Sequence, residues 1–354
     1  MIKIDLPHKV ADYACPINGI EDQYEWKTGR RLPGYFLMDL SSIGFIYIRQ
    51  KRAPAPRMVF WGNGMGKAQH EFLSDLIGYH YTFQENKSFK TAWQTAKNSL
   101  AEGTPVIIGL LDMYHLPYYP KFYHRVHIPQ HFVLLVGYDE SREVALVQDN
   151  SLNEVQSVPL EDLRLAWNVN NPGQGKPNTL YILHFNEKIA DLPEIVRNGL
   201  KKRASLFLNP PSVLMGRRGM QRAQADFSHW ADELSETQWR ESLRSLATFT
   251  CSVVPNLPQR LLPYPLGYKD AHQAVRDRFA VELEGFSGAY DFPKWAQAAG
   301  LLRASGEEIG ALTDMAANAL LEDSLFASKA AFAGAPEVMG RILTLEREVF
   351  SLLL

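Results

Sequence analysis

The stretch DYACPINGIED (12–22) contains one of the two cysteines in this chain of 354 residues. Because proline is favoured at the first position of a helix, Pro16 predicts a helix over 16–27 that Cys15 caps. The free N–H groups and the positive end of the helix dipole favour a nucleophilic thiolate and can stabilise an oxyanion. A buried structural cysteine is the alternative that position alone leaves open. The second cysteine, Cys251, is interpreted as a core residue at a helix end.

A nucleophilic thiol needs a base, and the base needs a group that orients it. His131 begins the most apolar predicted strand, HFVLLVGYDE, and the next predicted strand, EVALVQDN, carries Asp149 near its end. A hairpin about the turn at 140–143 places the start of the first strand near the end of the second. Asp149, or Asn150 beside it, can therefore reach His131. Cys15, His131 and Asp149 form the predicted Cys–His–Asp triad, although a structural edge histidine is the alternative for His131.

Other polar and aromatic residues are predicted to surround this site. The segment YHLPYYPKFYHRVHIPQH (114–131) combines histidines, prolines and aromatics but contains no carboxylate or cysteine, so a loop covering the substrate is favoured over a metal site. WGNGMG (61–66) lacks the lysine of a P-loop and the spacing of a dinucleotide motif, which favours a turn near the site. Asp112 and Asn150 are the alternatives to Asp149. The residues predicted to contact substrate are Asn18, Trp61, Asp112, Tyr114, Tyr118, Tyr119 and Asn150.

The pattern of elements predicts an α+β domain followed by a helical one. Apolar and β-branched runs bounded by Gly, Pro, Asn or Asp predict strands, whereas the residues after about 190 show apolar positions at helical spacing. We therefore predict a catalytic domain over 1–187, a basic linker over 188–225 and a helical domain over 226–354. The predicted strands are 42–50, 57–62, 104–112, 131–140, 143–150 and 179–185, and the predicted helices before them are 16–27, 69–77 and 88–102.

Composition excludes several classes of protein. A net charge of −2 argues against a chain built to bind nucleic acid or an anionic membrane. No apolar run approaches the roughly 20 residues that span a bilayer, and the start of the chain lacks the apolar core of a secretory signal. Two cysteines far apart in the sequence fit a reducing compartment. We expect a cytoplasmic protein with neither a metal nor a cofactor.

Four motifs together resemble the N-terminal domain of the butirosin-biosynthesis protein H family. They are the cysteine at the first helix, EGTPVIIGLLDMYHLPYY, HFVLLVGYDESREVALVQDNS and VPLEDLRLAW. The resemblance covers about 8–187, and the remainder resembles the domain that often follows. It implies a papain-like or leader-peptidase-like fold and an acyltransferase that moves an aminoacyl group from an acyl carrier protein thioester to an amine. It also implies Cys15 as nucleophile, His131 as base and Asp149 as orienting acid.

Two positions depart from the patterns of related enzymes. Lys9 stands where many papain-like enzymes have a glutamine for the oxyanion hole, and Ala14 stands where the family more often has a histidine. The oxyanion donors are therefore left open among the Cys15 N–H, Asn18 and the Asp12 main chain.

A basic segment predicts how a carrier protein would dock. Residues 200–225 include no Asp or Glu, and complementary charge would steer an acidic carrier. A solvated linker is the alternative. The expected partners are an acyl carrier protein and a small amine, without nucleic acid or membrane, and the oligomeric state is open, with a homodimer as one option. The predicted docking residues are Lys201, Lys202, Arg203, Arg217, Arg218 and Arg222.

Two other functions are compatible with the same residues. A cysteine peptidase or amide hydrolase differs from a transferase in whether water or an amine resolves the acyl-enzyme. A non-catalytic binding protein on this fold is the third reading.

Overall fold

The computed structural model describes the chain except residues 12–14, 43, 53–54, 63–65, 172–174 and 250–270. The core position predicted for Cys251 lies outside the described residues. The chain forms two compact units, the first made of Met1–Ser41 and Gly64–Ile195 and the second of Ser42–Asn63 and Val196–Leu354.

The elements follow in chain order. The strands are β1 (Ile2–Lys3), β2 (Gly44–Arg49), β3 (Arg57–Gly62), β4 (Tyr79–Gln84), β5 (Val106–Asp112), β6 (Pro129–Asp139), β7 (Val144–Asp149), β8 (Leu152–Pro159) and β9 (Leu180–Phe185). The helices are α1 (Ile20–Thr28), α2 (Gly34–Ser41), α3 (Gly66–Ile77), α4 (Phe89–Ala101), α5 (Leu160–Ala166), α6 (Leu192–Leu208), α7 (Gly216–Glu233), α8 (Glu236–Phe249), α9 (Ala271–Tyr290), α10 (Pro293–Leu321), α11 (Leu325–Ala331) and α12 (Ala335–Leu352). Short 3₁₀ turns lie at Cys15–Ile17 and Met113–His115.

An antiparallel sheet organises the first unit. Its strand order is β4-β9-β5-β6-β7-β8, and β1 pairs with β6. The predicted hairpin is confirmed, because β6 and β7 pair with Leu134 opposite Gln148 and Asp139 opposite Val144. The predicted α+β class, with an N-terminal helix, an antiparallel sheet and a helical C-terminal part, is confirmed as well.

The two faces of the central strands are covered by different elements. Val133 and Leu135 of β6 pack into a core with Leu100 of α4 and Leu163 of α5. Leu134 points to the other face, where it meets the residue just before α1. Both faces are buried, which explains why β6 reads as one continuous apolar run.

The prediction that Cys15 caps a helix over 16–27 is wrong. Cys15 begins a 3₁₀ turn that ends at Ile17, and α1 starts only at Ile20. Gly19 lies between them at φ 88°, a left-handed conformation that glycine adopts without strain. A Cβ on Gly19 would come within 2.7 Å of Leu134, so close packing on β6 also favours glycine here. The free N–H groups of α1 therefore begin well past Cys15.

All six predicted strands are confirmed to within a few residues, and the missed ones are the two-residue β1 and the two strands that end the sheet order. β4 (YHYTFQ) and β8 (LNEVQSVP) end the strand order on either side. Because an edge strand is partly exposed, its sequence is mixed rather than apolar, and the pattern is weak. The short helices α2 and α5 were also not predicted.

The second unit combines a β-hairpin with the helices that follow residue 195. The hairpin is β2 paired with β3, and its Tyr47 and Arg57 both bind the buried Asp226 of α7. Trp230 of α7 donates to the Tyr47 hydroxyl at 3.0 Å. Because of these contacts, Ser42–Asn63 belongs to the second unit, whereas the sequence predicts it within the catalytic domain at 1–187.

The segment assigned to a linker, 188–225, holds α6 and the first half of α7. Among the described residues, none of the helices combines the length and the apolar character that crossing a bilayer requires.

Candidate functional site

His131 and Asp149 meet at one end of the central hairpin. The Nε2 atom of His131 lies 2.6 Å from Oδ2 of Asp149, and both side chains are buried. The register of β6 and β7 makes them diagonal neighbours, since the run that pairs Leu134 with Gln148 continues toward the strand ends. This contact was predicted from the hairpin, and the alternatives Asp112 and Asn150 do not make it.

Asp149 is held by more than His131. Oδ2 also accepts from the Tyr118 hydroxyl at 2.9 Å, and Oδ1 accepts from the Tyr119 hydroxyl at 2.7 Å and from the Ser151 N–H at 3.1 Å. Burial raises the pKa of Asp149, but the charge and hydrogen bond of His131, with those of Tyr119 and Ser151, bring it below its ordinary value. Asp149 is therefore a carboxylate with all four acceptor positions filled.

His131 is accordingly a cation in the resting protein. Burial alone lowers the pKa of His131, but the charge of Asp149, the hydrogen bond to it and the interaction with Cys15 raise that pKa to about 10. Because Nε2 is engaged by Asp149, Nδ1 is the nitrogen left to exchange a proton with a thiol. A protonated imidazole beside a sulfur stabilises a thiolate.

Cys15 is half-buried and lies beside the start of β6. Its Sγ is 3.8 Å from the main-chain oxygen of Gln130, the residue before His131. The Cys15 thiol also interacts electrostatically with His131 and with Tyr119. The 3₁₀ turn brings the thiol to His131 without a helix N-terminus, so any activation of the sulfur comes from His131.

Tyr118 and Tyr119 were predicted to contact substrate, but their hydroxyls are occupied by Asp149. Burial, followed by the charge of Asp149, raises the pKa of both phenols, so each remains a hydrogen-bond donor. Their position points to a role in orienting Asp149.

The side chains of Asn18 and Asn150 donate hydrogen bonds to main-chain oxygens. The amide of Asn18 donates to the main-chain oxygens of Phe132 and Gln148 at 3.3 and 3.2 Å. Both of its N–H groups are thereby used, which removes Asn18 from the candidate oxyanion donors. Asn150 donates to the Ala11 oxygen at 3.1 Å. Asp12, another oxyanion candidate, lies outside the described residues.

Asp112 and Tyr114 belong to a separate cluster at the end of β5. Asp112 binds Nδ1 of His127 at 2.6 Å and caps the turn through the Tyr114 N–H at 3.1 Å. The Tyr114 ring stacks on His127 with 4.1 Å between centroids. Trp61 lies in β3 of the second unit, and its side chain is outside the description. Over the part of the chain that the structure describes, no group of three or more His, Cys, Asp or Glu side chains is arranged to hold a metal ion.

The predicted docking residues differ in their exposure. Arg203 is buried, where it donates to the Ser42 oxygen at 2.7 Å and lies over the Phe350 ring, so it is not available to a partner. Arg217 is half-buried and donates to the Leu208 oxygen. Lys201 and Arg218 are exposed, and Lys202 and Arg222 are intermediate.

His8 is a residue near the site that the sequence did not identify. Its ring contacts Asp22 and two main-chain oxygens of the turn that carries Asp149. It lies in an irregular segment without periodicity, so no local pattern marked it.

Two protein-family models match parts of this chain. Residues 15–150 match the family model described as butirosin biosynthesis protein H, N-terminal. The matched region begins at Cys15 and ends just after Asp149, so it includes His131 as well. Residues 161–251 match a domain of unknown function, DUF4872. No curated protein matches the chain.

Proposed function

We propose that this chain is a cysteine-dependent acyltransferase, in which Cys15 takes an acyl or aminoacyl group from a carrier-protein thioester and passes it to an amine. The observation that carries the proposal is the buried His131, bonded to Asp149 through one ring nitrogen and in electrostatic contact with Cys15. The match of residues 15–150 adds support, because the matched family is named for a biosynthetic protein.

The geometry supports a two-step reaction. The Cys15 thiolate attacks the thioester carbonyl, the carbonyl–sulfur bond of the donor breaks, and the departing thiolate takes the proton that His131 holds at Nδ1. An amine then attacks the acyl–Cys15 carbonyl and gives its proton to His131. The bond to Cys15 breaks, an amide is released, and the thiolate–imidazolium pair is restored. Asp149 keeps the ring oriented and stabilises its charge in both steps.

The product distinguishes this proposal from hydrolysis on the same fold. Full-length protein is incubated with an acylated carrier protein, or with a small acyl thioester, in the presence of an amine. Mass spectrometry then measures amide and free acid. An amide that depends on Cys15 supports the transferase. Free acid alone, at every amine concentration, indicates a hydrolase, and no turnover of any thioester tested would contradict both.

A carrier would dock through exposed basic residues of the second unit. Of the predicted set, Lys201 and Arg218 are exposed, whereas Arg203 has a structural role. Complementary charge would raise the encounter rate with an acidic carrier and set its orientation more than it adds affinity.

A further inference from the structure

His8 makes three short contacts in the first unit, and every partner atom is an oxygen. Nδ1 lies 2.6 Å from Oδ2 of Asp22, and Nε2 lies 3.0 Å from the Asp149 oxygen and 2.8 Å from the Leu152 oxygen. The side chain is only 5% exposed, so water contributes little.

These partners determine how many protons the ring holds. A main-chain oxygen only accepts, so the two carbonyls at Nε2 require an N–H there. A carboxylate also only accepts, so the 2.6 Å contact at Nδ1 requires a second proton between His8 and Asp22. A neutral imidazole beside an ionised Asp22 would leave a nitrogen lone pair facing an oxygen lone pair. Ring and carboxyl together therefore hold two protons, and the short charged pair is the arrangement that uses both.

The charges around His8 are balanced when its ring carries both protons. Arg31 contacts Oδ1 of Asp22 at 2.8 Å and Glu25 at 2.7 Å. With His8 charged, two cations meet two carboxylates. Glu21, the residue before Asp22, has its pKa raised to about 8 by burial and by the charge of Asp22, so it is neutral at pH 7. Burial lowers the pKa of His8, but the hydrogen bond and charge of Asp22 and the two carbonyls raise it overall.

The two carbonyls belong to the turn that holds the triad acid. Asp149 pairs with Leu152 across the turn between β7 and β8, and Ser151 within the turn donates its N–H to the Asp149 carboxylate. The segment containing His8 also holds the next residue of the turn, since the Ala11 N–H donates to the Asn150 oxygen at 2.8 Å. The N-terminal segment is thus hydrogen-bonded to the main-chain oxygens of Asp149, Asn150 and Leu152 in this turn.

We propose that His8 is a positioning residue for Asp149, a doubly protonated ring that is paired with Asp22 and holds the β7–β8 turn through the main-chain oxygens of Asp149 and Leu152. Its importance for turnover rests on the proposed function of Cys15, but its effect on His131 does not. When the turn loosens, the Asp149 carboxylate moves away from His131, and the imidazolium loses its main stabilisation.

NMR of the histidine rings in the full-length protein tests the proposal directly. In the wild type we expect both His8 nitrogens to be protonated at pH 7. In His8→Ala we expect the pKa of His131 to fall by at least about one unit, a tenfold loss of proton affinity. In His8→Gln, which retains a donor but not the charge, we expect a smaller fall. His80→Ala, at an exposed histidine of β4, is the matched control and should leave His131 unchanged.

Two results overturn the proposal. One is a His8 ring that carries a single proton at pH 7 in the wild type. The other is a folded His8 variant in which His131 titrates as in the wild type, because a residue that only stabilises the fold would lower the melting temperature and leave that titration in place. If His8→Ala does not fold, the titration of His131 in His8→Gln and the protonation of the His8 ring in the wild type still test the proposal. Failure of Cys15 to accept an acyl group with the His131 shift present would contradict the proposed function alone.

Discussion

Replacing Asp149 by asparagine should present His131 with a donor instead of an acceptor. The carboxylate now accepts His131 and Tyr118 at Oδ2, and Tyr119 and the Ser151 N–H at Oδ1. An amide keeps one oxygen and gains an NH₂ group at the other position. A tyrosine hydroxyl can rotate to accept, but the Ser151 N–H cannot. The amide oxygen must therefore face Ser151, and the NH₂ group then faces His131.

This orientation forces the wrong tautomer on the histidine. With an NH₂ group at 2.6 Å, Nε2 of His131 has to accept, so the ring proton moves to Nδ1. That nitrogen faces the Cys15 thiol and can no longer take its proton. The imidazolium also loses the charge of Asp149, which is the main cause of its raised pKa after the opposing effect of burial.

The size of the loss follows from the contacts. A hydrogen bond to a charged group contributes about 1.5–3 kcal/mol, and about 1.4 kcal/mol corresponds to a factor of ten, so the stability of the His131 imidazolium should fall roughly 10- to 150-fold. Acyl transfer should fall further, toward the ~10⁴-fold loss that a wrong tautomer causes in a serine-type triad.

The rate of Cys15 alkylation by iodoacetamide at pH 7 measures the first loss without needing the natural substrate. Asp139→Asn is the matched control, because Asp139 ends β6 and accepts from the Ser141 N–H at 3.0 Å but is not in contact with His131. We expect Asp139→Asn to alkylate at the wild-type rate. A folded Asp149→Asn protein with the wild-type alkylation rate, and a His131 pKa still near 10, would refute the orientation argument.

Three further outcomes are expected. Tyr118→Phe and Tyr119→Phe should each reduce the rate of Cys15 alkylation a few-fold without changing the fold. The double variant should be slower than either single variant, because both hydroxyls bind one carboxylate. A double variant that is alkylated at the wild-type rate would show that the two tyrosines serve only in packing. The stability of Glu21→Gln relative to the wild type should rise as pH increases from about 4.5 to 8, because only the wild type must keep a proton on Glu21 that the unfolded chain releases. Melting temperatures of the two proteins that differ by the same amount at every pH would contradict a buried neutral Glu21. Replacing Lys201 and Arg218 by Glu should raise the apparent Michaelis constant for a carrier-bound donor but not for a small thioester, and added salt should raise the same constant in the wild type. An equal loss of activity with both donors would show that the substitutions damage the fold. Unchanged activity with both would show that the carrier docks elsewhere.

The parts of the fold that could be predicted are those in which a local pattern decides the structure. The apolar run of β6 and the turn that follows it fixed the hairpin, and the hairpin placed Asp149 within reach of His131. The family resemblance, carried by four short motifs, agrees with the matched region at 15–150.

The parts that could not be predicted depend on contacts distant in sequence. Pro16 suggested a helix, but the packing of Gly19 against Leu134 delays α1 to Ile20. The aromatic loop around Tyr119 predicts a substrate contact, whereas the Tyr119 hydroxyl donates to the carboxylate of Asp149, 30 residues away. His8 meets the Asp149 turn across 141 residues, a separation that no local pattern encodes.

Intact mass spectrometry of the protein after mixing with an acyl thioester is the most direct test of the central claim. The account predicts that the wild type gains the mass of one acyl group, that peptide mapping finds it on Cys15 and not on Cys251, and that adding an amine removes it as the amide. Cys15→Ala should gain no mass. An acyl group on another residue, or an unacylated wild type that still forms amide, would contradict a mechanism through acyl-Cys15.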